Sequence, residues 1–308
     1  MTGCRSTTRP LPGCGRFTTA TGPDGGTTLP GHPDVADRGS GHQGGGTRCP
    51  VYLINLDGSD ERLRSATRQL ADEGIAFERV PAFDGRVLRM DEFPDYDPAG
   101  AMAYMGRPLR GGEIGCYLSH LDGARRILDS GAPWGMVLED DVQLKPGFAE
   151  GIAVLLDWLD RHNGDWDLIN LGSPQHKIYT PVMDFRVAGR HHELTRAHYF
   201  PMTATALIWS RKGAETFVRS HDRITRGVDN HFRHWLTRSD SGLAVWPPLV
   251  TTTGAESDIE DGQGKRSAQG RHPLYGLIKQ RRQIVNKLIA WRHKRDLARR
   301  RKAADLDP

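Results

Sequence analysis

The chain has 308 residues, 37% of them hydrophobic, and a formal net charge of +4, which fits one large or two small domains with part of the chain outside a packed core. No apolar run approaches the ~20 residues of a membrane-spanning helix, and the charge excess is too small to imply nucleic acid. The four cysteines, Cys4, Cys14, Cys49 and Cys116, form no CxxC pair and no disulfide framework, a usage that suits a reducing cytoplasm.

Residues 1–48 are rich in Gly, Thr, Pro and Ser and have no hydrophobic period. Such a composition cannot bury enough apolar surface to offset its ordering entropy, so a disordered tail is expected. No apolar core follows Arg5 and Arg9, so no secretory signal is expected. The expected organisation is this tail, an α/β domain over 49–265, and a basic C-terminal helix with its tail over 266–308.

Val51 to Leu56 reads as a strand, Asp57-Gly58-Ser59-Asp60 as a turn with Ser59 as a helix cap, and Leu63, Ala66, Thr67 and Leu70 as one helix face. Ile75 to Val80 returns as a second strand. Strand–helix–strand at this spacing is a βαβ unit with a parallel sheet. Ligands in such sheets sit beyond the carboxyl ends of the strands, here near Asn55, Asp57, Arg62 and Asp84. There is no GxGxxG and no Walker-type loop, so the dinucleotide and P-loop readings lack their fingerprints.

Residues 86–110 contain Pro94, Pro98 and Pro108 and read as an irregular excursion over the site. From Gly111 to Leu128 a helix is expected, with Ser119 and His120 beside its apolar face. Met136-Val137-Leu138 then runs into Glu139-Asp140-Asp141. A buried parallel strand reads as such an apolar run. Three adjacent carboxylates repel unless a cation or solvent intervenes, and Mg²⁺ or Mn²⁺ prefers oxygen ligands with substrate phosphates. The stretch therefore reads as a metal–diphosphate site, with a solvated acidic turn as the alternative.

Phe148 to Leu159 is expected as a helix and Asp165 to Gly172 as a strand. Residues 173–198 read as a polar, His-rich connection; the adjacent pair His191-His192 lacks the spacing that places two zinc ligands on one helix face. Thr203 to Trp209 is the next strand, Ser210 caps a helix through Val218, and another helix opens at Gly227 with Asp229 in its first turn. Leu243 to Pro248 is the last strand and 251–264 a polar loop. From Leu277 to Ala304 apolar residues and Trp291 recur at roughly helical spacing among many Arg and Lys. Two readings of that run stand: an interfacial helix on anionic lipid, or a solvated terminal helix.

Four stretches in this order, Val51 to Asp57 with Arg62, Phe77 to Gly85, Gly112 to His120 and Val137 to Val142, together resemble glycosyltransferase family 25. The resemblance covers about residues 50 to 260 and leaves the N-terminal 48 without a counterpart. It implies a GT-A type α/β fold with a mostly parallel sheet flanked by helices. It also implies a UDP-sugar donor, usually UDP-galactose, a divalent metal (Mn²⁺ or Mg²⁺), and inversion at the anomeric carbon. By motif, Glu139-Asp140-Asp141 corresponds to the DXD-like element, with Asp141 and Glu139 as metal ligands and Glu139 and Asp140 at the donor. Asn55, Asp57, Arg62, Asp84 and Ser119 fall near the nucleotide, and Asp229 is the expected catalytic base with His120 as its competitor. The implied role is hexose transfer to a glycan or glycolipid acceptor in surface polysaccharide or lipopolysaccharide-type synthesis, by a cytoplasmic protein peripheral to the inner face of the plasma membrane. A metal-dependent nucleotide-sugar or phosphoester hydrolase and a catalytically inactive nucleotide-sugar-binding relative are the alternatives.

Overall fold

The structure, a computed structural model, describes residues 49–87, 89, 93–162, 165–221, 223–253 and 270–304. The expectation of a disordered tail over 1–48 and most of the polar loop expected over 251–264 fall outside them. In chain order the elements are β1 (Val51–Asn55), α1 (Asp60–Asp72), β2 (Glu78–Pro81), a 3-10 turn (Gly85–Val87), α2 (Pro98–Met105), α3 (Gly111–Asp129), β3 (Trp134–Glu139), β4 (Val142–Leu144) and α4 (Phe148–Arg161). There follow β5 (Leu168–Asn170), β6 (Thr180–Val187), β7 (Arg190–Arg196), β8 (Ala206–Ser210), α5 (Arg211–Ser220), α6 (Val228–Ser239), β9 (Gly242–Trp246), β10 (Val250–Thr252) and α7 (Tyr275–Ala304).

One eight-stranded sheet carries the fold, in the order β2-β1-β3-β8-β5-β9-β7-β6. β1 is parallel to β2 and β3, and β5 to β9, while β8 and β7 run against the rest. This is the mostly parallel, helix-flanked α/β sheet expected. Both faces are buried, and alternation along the strands feeds two cores. Tyr52, Ile54, Val137, Leu207 and Trp209 pack with α3, α5 and α6 on one face. Val51, Leu53, Met136, Leu138, Ala206 and Ile208 pack with α1 and α4 on the other. Each such side chain contributes ~1.5–3 kcal/mol of burial, which fixes the register: a slip of one residue would exchange the two cores.

Three features depart from the sequence expectations. The polar stretch 173–198 contains the β6–β7 hairpin, turned at Ala188 and Gly189 with φ of 46° and 74°. The excursion 86–110 contains α2, where Pro98 sits at the helix start behind Asp97, whose carboxylate accepts from the Gly100 N–H. Proline is tolerated there because that N–H has no helical partner. Finally, β4 and β10 form a separate two-stranded ribbon directly after the acidic triplet.

α7 lies against α2 and α6. Arg282 donates to the Tyr104 carbonyl at 2.7 Å, Arg238 reaches Asn286 at 3.0 Å, and Asn286 and Ala290 are buried. Leu277, Ile284, Leu288 and Trp291 are each at least half exposed. At 100° per residue they share the side of α7 opposite Arg282, Asn286 and Ala290. Over residues 277–291 the helix thus turns four large apolar side chains away from the fold.

Candidate active site

The carboxyl ends of β1 and β3 lie side by side, with Ile54 opposite Glu139. They open into a cleft lined by Arg62, Phe83, Asp84, Arg86, Cys116, Ser119, Glu139, Asp140 and Asp141, among others. Its floor is the contact between the 3-10 turn and α3. A Cβ on Gly85 would stand 1.9 Å from the Gly111 carbonyl oxygen, and one on Gly115 would stand 2.4 Å from the Phe83 carbonyl oxygen. Backbone meets backbone there because no side chain intervenes. Ser119 ties the same loop down, accepting from the Phe83 N–H at 3.0 Å and donating to the Gly115 carbonyl at 2.7 Å.

The three carboxylates of the triplet go to different partners. Asp140 accepts from the buried Asn55 amide at 2.7 Å and faces Arg62 at 3.4 Å. Burial raises its pKa, with Asn55 and Arg62 opposing. Glu139 turns toward α3, where His120 Nε2 stands 3.0 Å and Cys116 Sγ 3.5 Å from Oε1. Burial alone would raise the Glu139 pKa; the contacts with His120 and Cys116 and the charge of Arg62 together hold it below the usual value. An ionised Glu139 only accepts, so His120 Nε2 carries the hydrogen. Asp141 has no such partners: its Oδ1 is buried and makes no hydrogen bond. Burial first, then the charges of Glu139 and Asp140, push it up to about 7.

An orphaned carboxylate oxygen beside two further acids is what a hard divalent ion would satisfy. Oxygen donors of this kind suit Mn²⁺ or Mg²⁺, which Asp141 and Glu139 would hold.

Asp229 stands in the first turn of α6, half-buried and outside the residues lining the cleft. Its Oδ1 also lacks a hydrogen bond. Burial and then Glu139 push its pKa up to about 6, against His120 and Arg233. Its electrostatic partners therefore include both members of the Glu139–His120 pair. His120 itself has no exposed surface, and its Nε2 faces Glu139. Asp84 is held below its usual pKa by the hydrogen bonds from Arg86. Asp57 lies off the cleft, its side chain 81% exposed and paired with Arg79.

Sequence reasoning passed over Phe83, Arg86 and Cys116. Cys116 had a visible signal, standing one helical turn before His120 and hence on the same side of α3. Arg86 had one in its place two residues after Asp84.

Residues 49–230 match the family described as glycosyltransferase family 25 (LPS biosynthesis protein). The chain belongs to glycosyltransferase family 25. It is 36% identical over 230 residues to a glycosyltransferase 25 family member of Aedes aegypti, covering 68% of this chain and 38% of that one. It is 30% identical over 174 residues to procollagen galactosyltransferase 1 of Danio rerio, covering 55% and 28% respectively. A Bos taurus relative described as a probable inactive glycosyltransferase 25 family member 3 is 31% identical over 228 residues, covering 68% and 38%. The chain thus spans well under half the length of these family 25 relatives. The matched region contains the whole cleft, the acidic triplet and Asp229.

Proposed function

We propose that this family 25 chain transfers a hexose from a UDP-sugar to a glycan hydroxyl, with inversion at the anomeric carbon. The observation that carries the reading is the division of labour among the buried acids. Asp140 and Glu139 are held by fixed partners, whereas Asp141 and Asp229 each keep a buried oxygen with none. One orphan faces the cleft and the other stands beyond it, as a donor-side ligand and an acceptor-side base should.

In this reading Arg62 and Arg86 meet the donor diphosphate, since guanidinium suits phosphate oxygens. A divalent ion held by Asp141 and Glu139 would neutralise charge on the departing nucleoside diphosphate. His120 keeps Glu139 oriented. Asp229 takes the proton of the acceptor hydroxyl as the glycosidic bond to UDP breaks. Its raised pKa of about 6 leaves it ionised at neutral pH yet more basic than an ordinary carboxylate. A single displacement needs no carboxylate nucleophile.

Galactose is the donor sugar that the names of the procollagen relatives suggest, and a lipopolysaccharide-type acceptor is what the family description suggests. The outward apolar side chains of α7, interspersed with Arg281, Lys287 and Arg295, support docking on an anionic membrane at the cytoplasmic face, where lipid-linked acceptors are met. The test is a panel of UDP-sugars with Mn²⁺ or Mg²⁺ and candidate acceptors. Acceptor-dependent release of UDP is expected. Acceptor-independent release would make the chain a hydrolase, and binding without turnover would make it an inactive relative.

A further inference from the structure

Away from the donor cleft, α2, α6 and α7 enclose a group of cations around one tyrosine. The Arg226 guanidinium carbon lies 4.0 Å and that of Arg282 5.0 Å from the Tyr104 ring centre, and the His234 ring meets Tyr104 edge-on at 5.2 Å. Arg238 is on the same helix as His234, one turn later, and donates to its carbonyl at 3.0 Å. Arg233, also on α6, lies over Tyr199 at 4.4 Å and donates to the Phe200 carbonyl at 2.7 Å. None of these residues lines the cleft.

The hydrogen-bond and ring partners of these four arginines are neutral: a carbonyl, a hydroxyl, an amide, a thioether or a ring face; the nearest acid is Asp229, whose charge acts on Arg233. Among the described residues no carboxylate forms an ion pair with any of them. The neighbouring Arg107, by contrast, is held by Glu113 through two bonds of 2.7 Å. Arg226 Nη1 and His234 Nδ1 are buried with no hydrogen-bond partner at all. Burial lowers the guanidinium pKa of Arg233, Arg238 and Arg282, and burial with Arg226 pushes His234 down to about 3. The imidazole is therefore neutral and the arginines carry the charge. Arg226, Arg233 and Arg282 are half-buried and Arg238 is exposed at the rim; half-buried cations with little counter-charge are costly, and so are buried donors without acceptors. A tetrahedral oxyanion answers both needs, since it presents several acceptor oxygens to guanidinium forks.

We propose that this cluster binds a phosphate-type anion carried by the acceptor substrate. The assignment to the acceptor rests on the reading of Asp229 as base. Arg233 follows Asp229 by one helical turn and shares its face of α6, so the cluster extends from the base away from the donor cleft. An acceptor phosphate held there would position the attacking hydroxyl at Asp229.

The test uses the full chain saturated with UDP, so that the donor cleft is filled, and titrates inorganic phosphate against chloride at matched ionic strength. Saturable phosphate binding is expected. Arg226→Gln should weaken it by about tenfold or more, Arg226→Lys should restore part of it, and UDP affinity should be the same in all three proteins. No phosphate binding to the UDP complex, or equal binding by Arg226→Gln, would overturn the site. A second arm compares one acceptor with and without its phosphomonoester. Removal should raise KM in the wild-type protein and change little in Arg226→Gln. Phosphate binding without that acceptor difference would overturn the acceptor assignment. The titration requires no turnover, so a failure of transfer would count against the reaction and not against the anion site.

Discussion

Asp229→Asn should make the protein more stable and nearly inactive at once. The carboxyl has a folded pKa of about 6 against an ordinary value of 3.8. A carboxyl raised in this way binds its proton more tightly in the folded state. The stability it contributes is fully present below pH ~3.8 and is lost as pH rises through ~6. The gap of roughly two units corresponds to about 3 kcal/mol at 1.36 kcal/mol per unit, an upper bound because the side chain is only half-buried. Asparagine keeps the shape and removes the charge, at the loss of ~0.3–1 kcal/mol of favourable interaction with the α6 dipole. Urea unfolding should therefore show the variant about 2 kcal/mol more stable than wild type at pH 8, with the advantage shrinking toward zero near pH 4. In parallel, kcat for transfer should fall ~10²-fold or more, with UDP affinity nearly unchanged. Equal or lower stability at pH 8 would mean that Asp229 is not a strained, buried charge. Normal kcat would mean that it is not the base.

Three further outcomes follow from the same geometry. Asp141→Asn should leave the melting temperature at pH 7 unchanged or raised, and should remove metal-dependent turnover; normal Mn²⁺ dependence would reduce the acidic triplet to a turn. Ser119→Ala removes the hydrogen bond that ties the Phe83 N–H to α3, which should cost ~1–2 kcal/mol by urea unfolding and raise the donor KM more than it lowers kcat. Leu288→Glu with Trp291→Glu should abolish sedimentation with anionic vesicles and spare soluble activity, and wild-type binding should weaken with salt; equal binding to neutral vesicles would argue against the lipid reading.

Much of the site was legible in the chain. The apolar run ending in Glu139-Asp140-Asp141 is a strand entering a cleft, and the βαβ unit before it brings Asn55 and Arg62 to the same edge. What adjacency could not convey is that the triplet divides. Strand geometry sends neighbouring side chains to opposite faces, so Glu139 is claimed by α3 and Asp140 by Asn55. The β6–β7 hairpin was hidden because it lies at the sheet edge, where its residues need not alternate, and because its turn uses Ala188 at positive φ rather than an Asn-Gly pair. α2 was hidden by Pro98, which reads as a breaker unless Asp97 before it is recognised as the cap. The arginine cluster is spread over α6, the segment just before it and α7, so only the tertiary fold reveals it.

The glycine seam under the cleft limits how the site can be altered. At Gly85, Gly111 and Gly115 the separation of the loop from α3 is set by the thickness of two peptide chains, and a single methyl group at any of them would force the two apart. On the proposed function, donor selectivity is therefore best retuned from wall residues such as Phe83, Arg86 and Cys116, while the depth of the cleft stays constant. Mutagenesis libraries aimed at new sugar nucleotides are best concentrated on those three codons, with the three glycine codons held fixed.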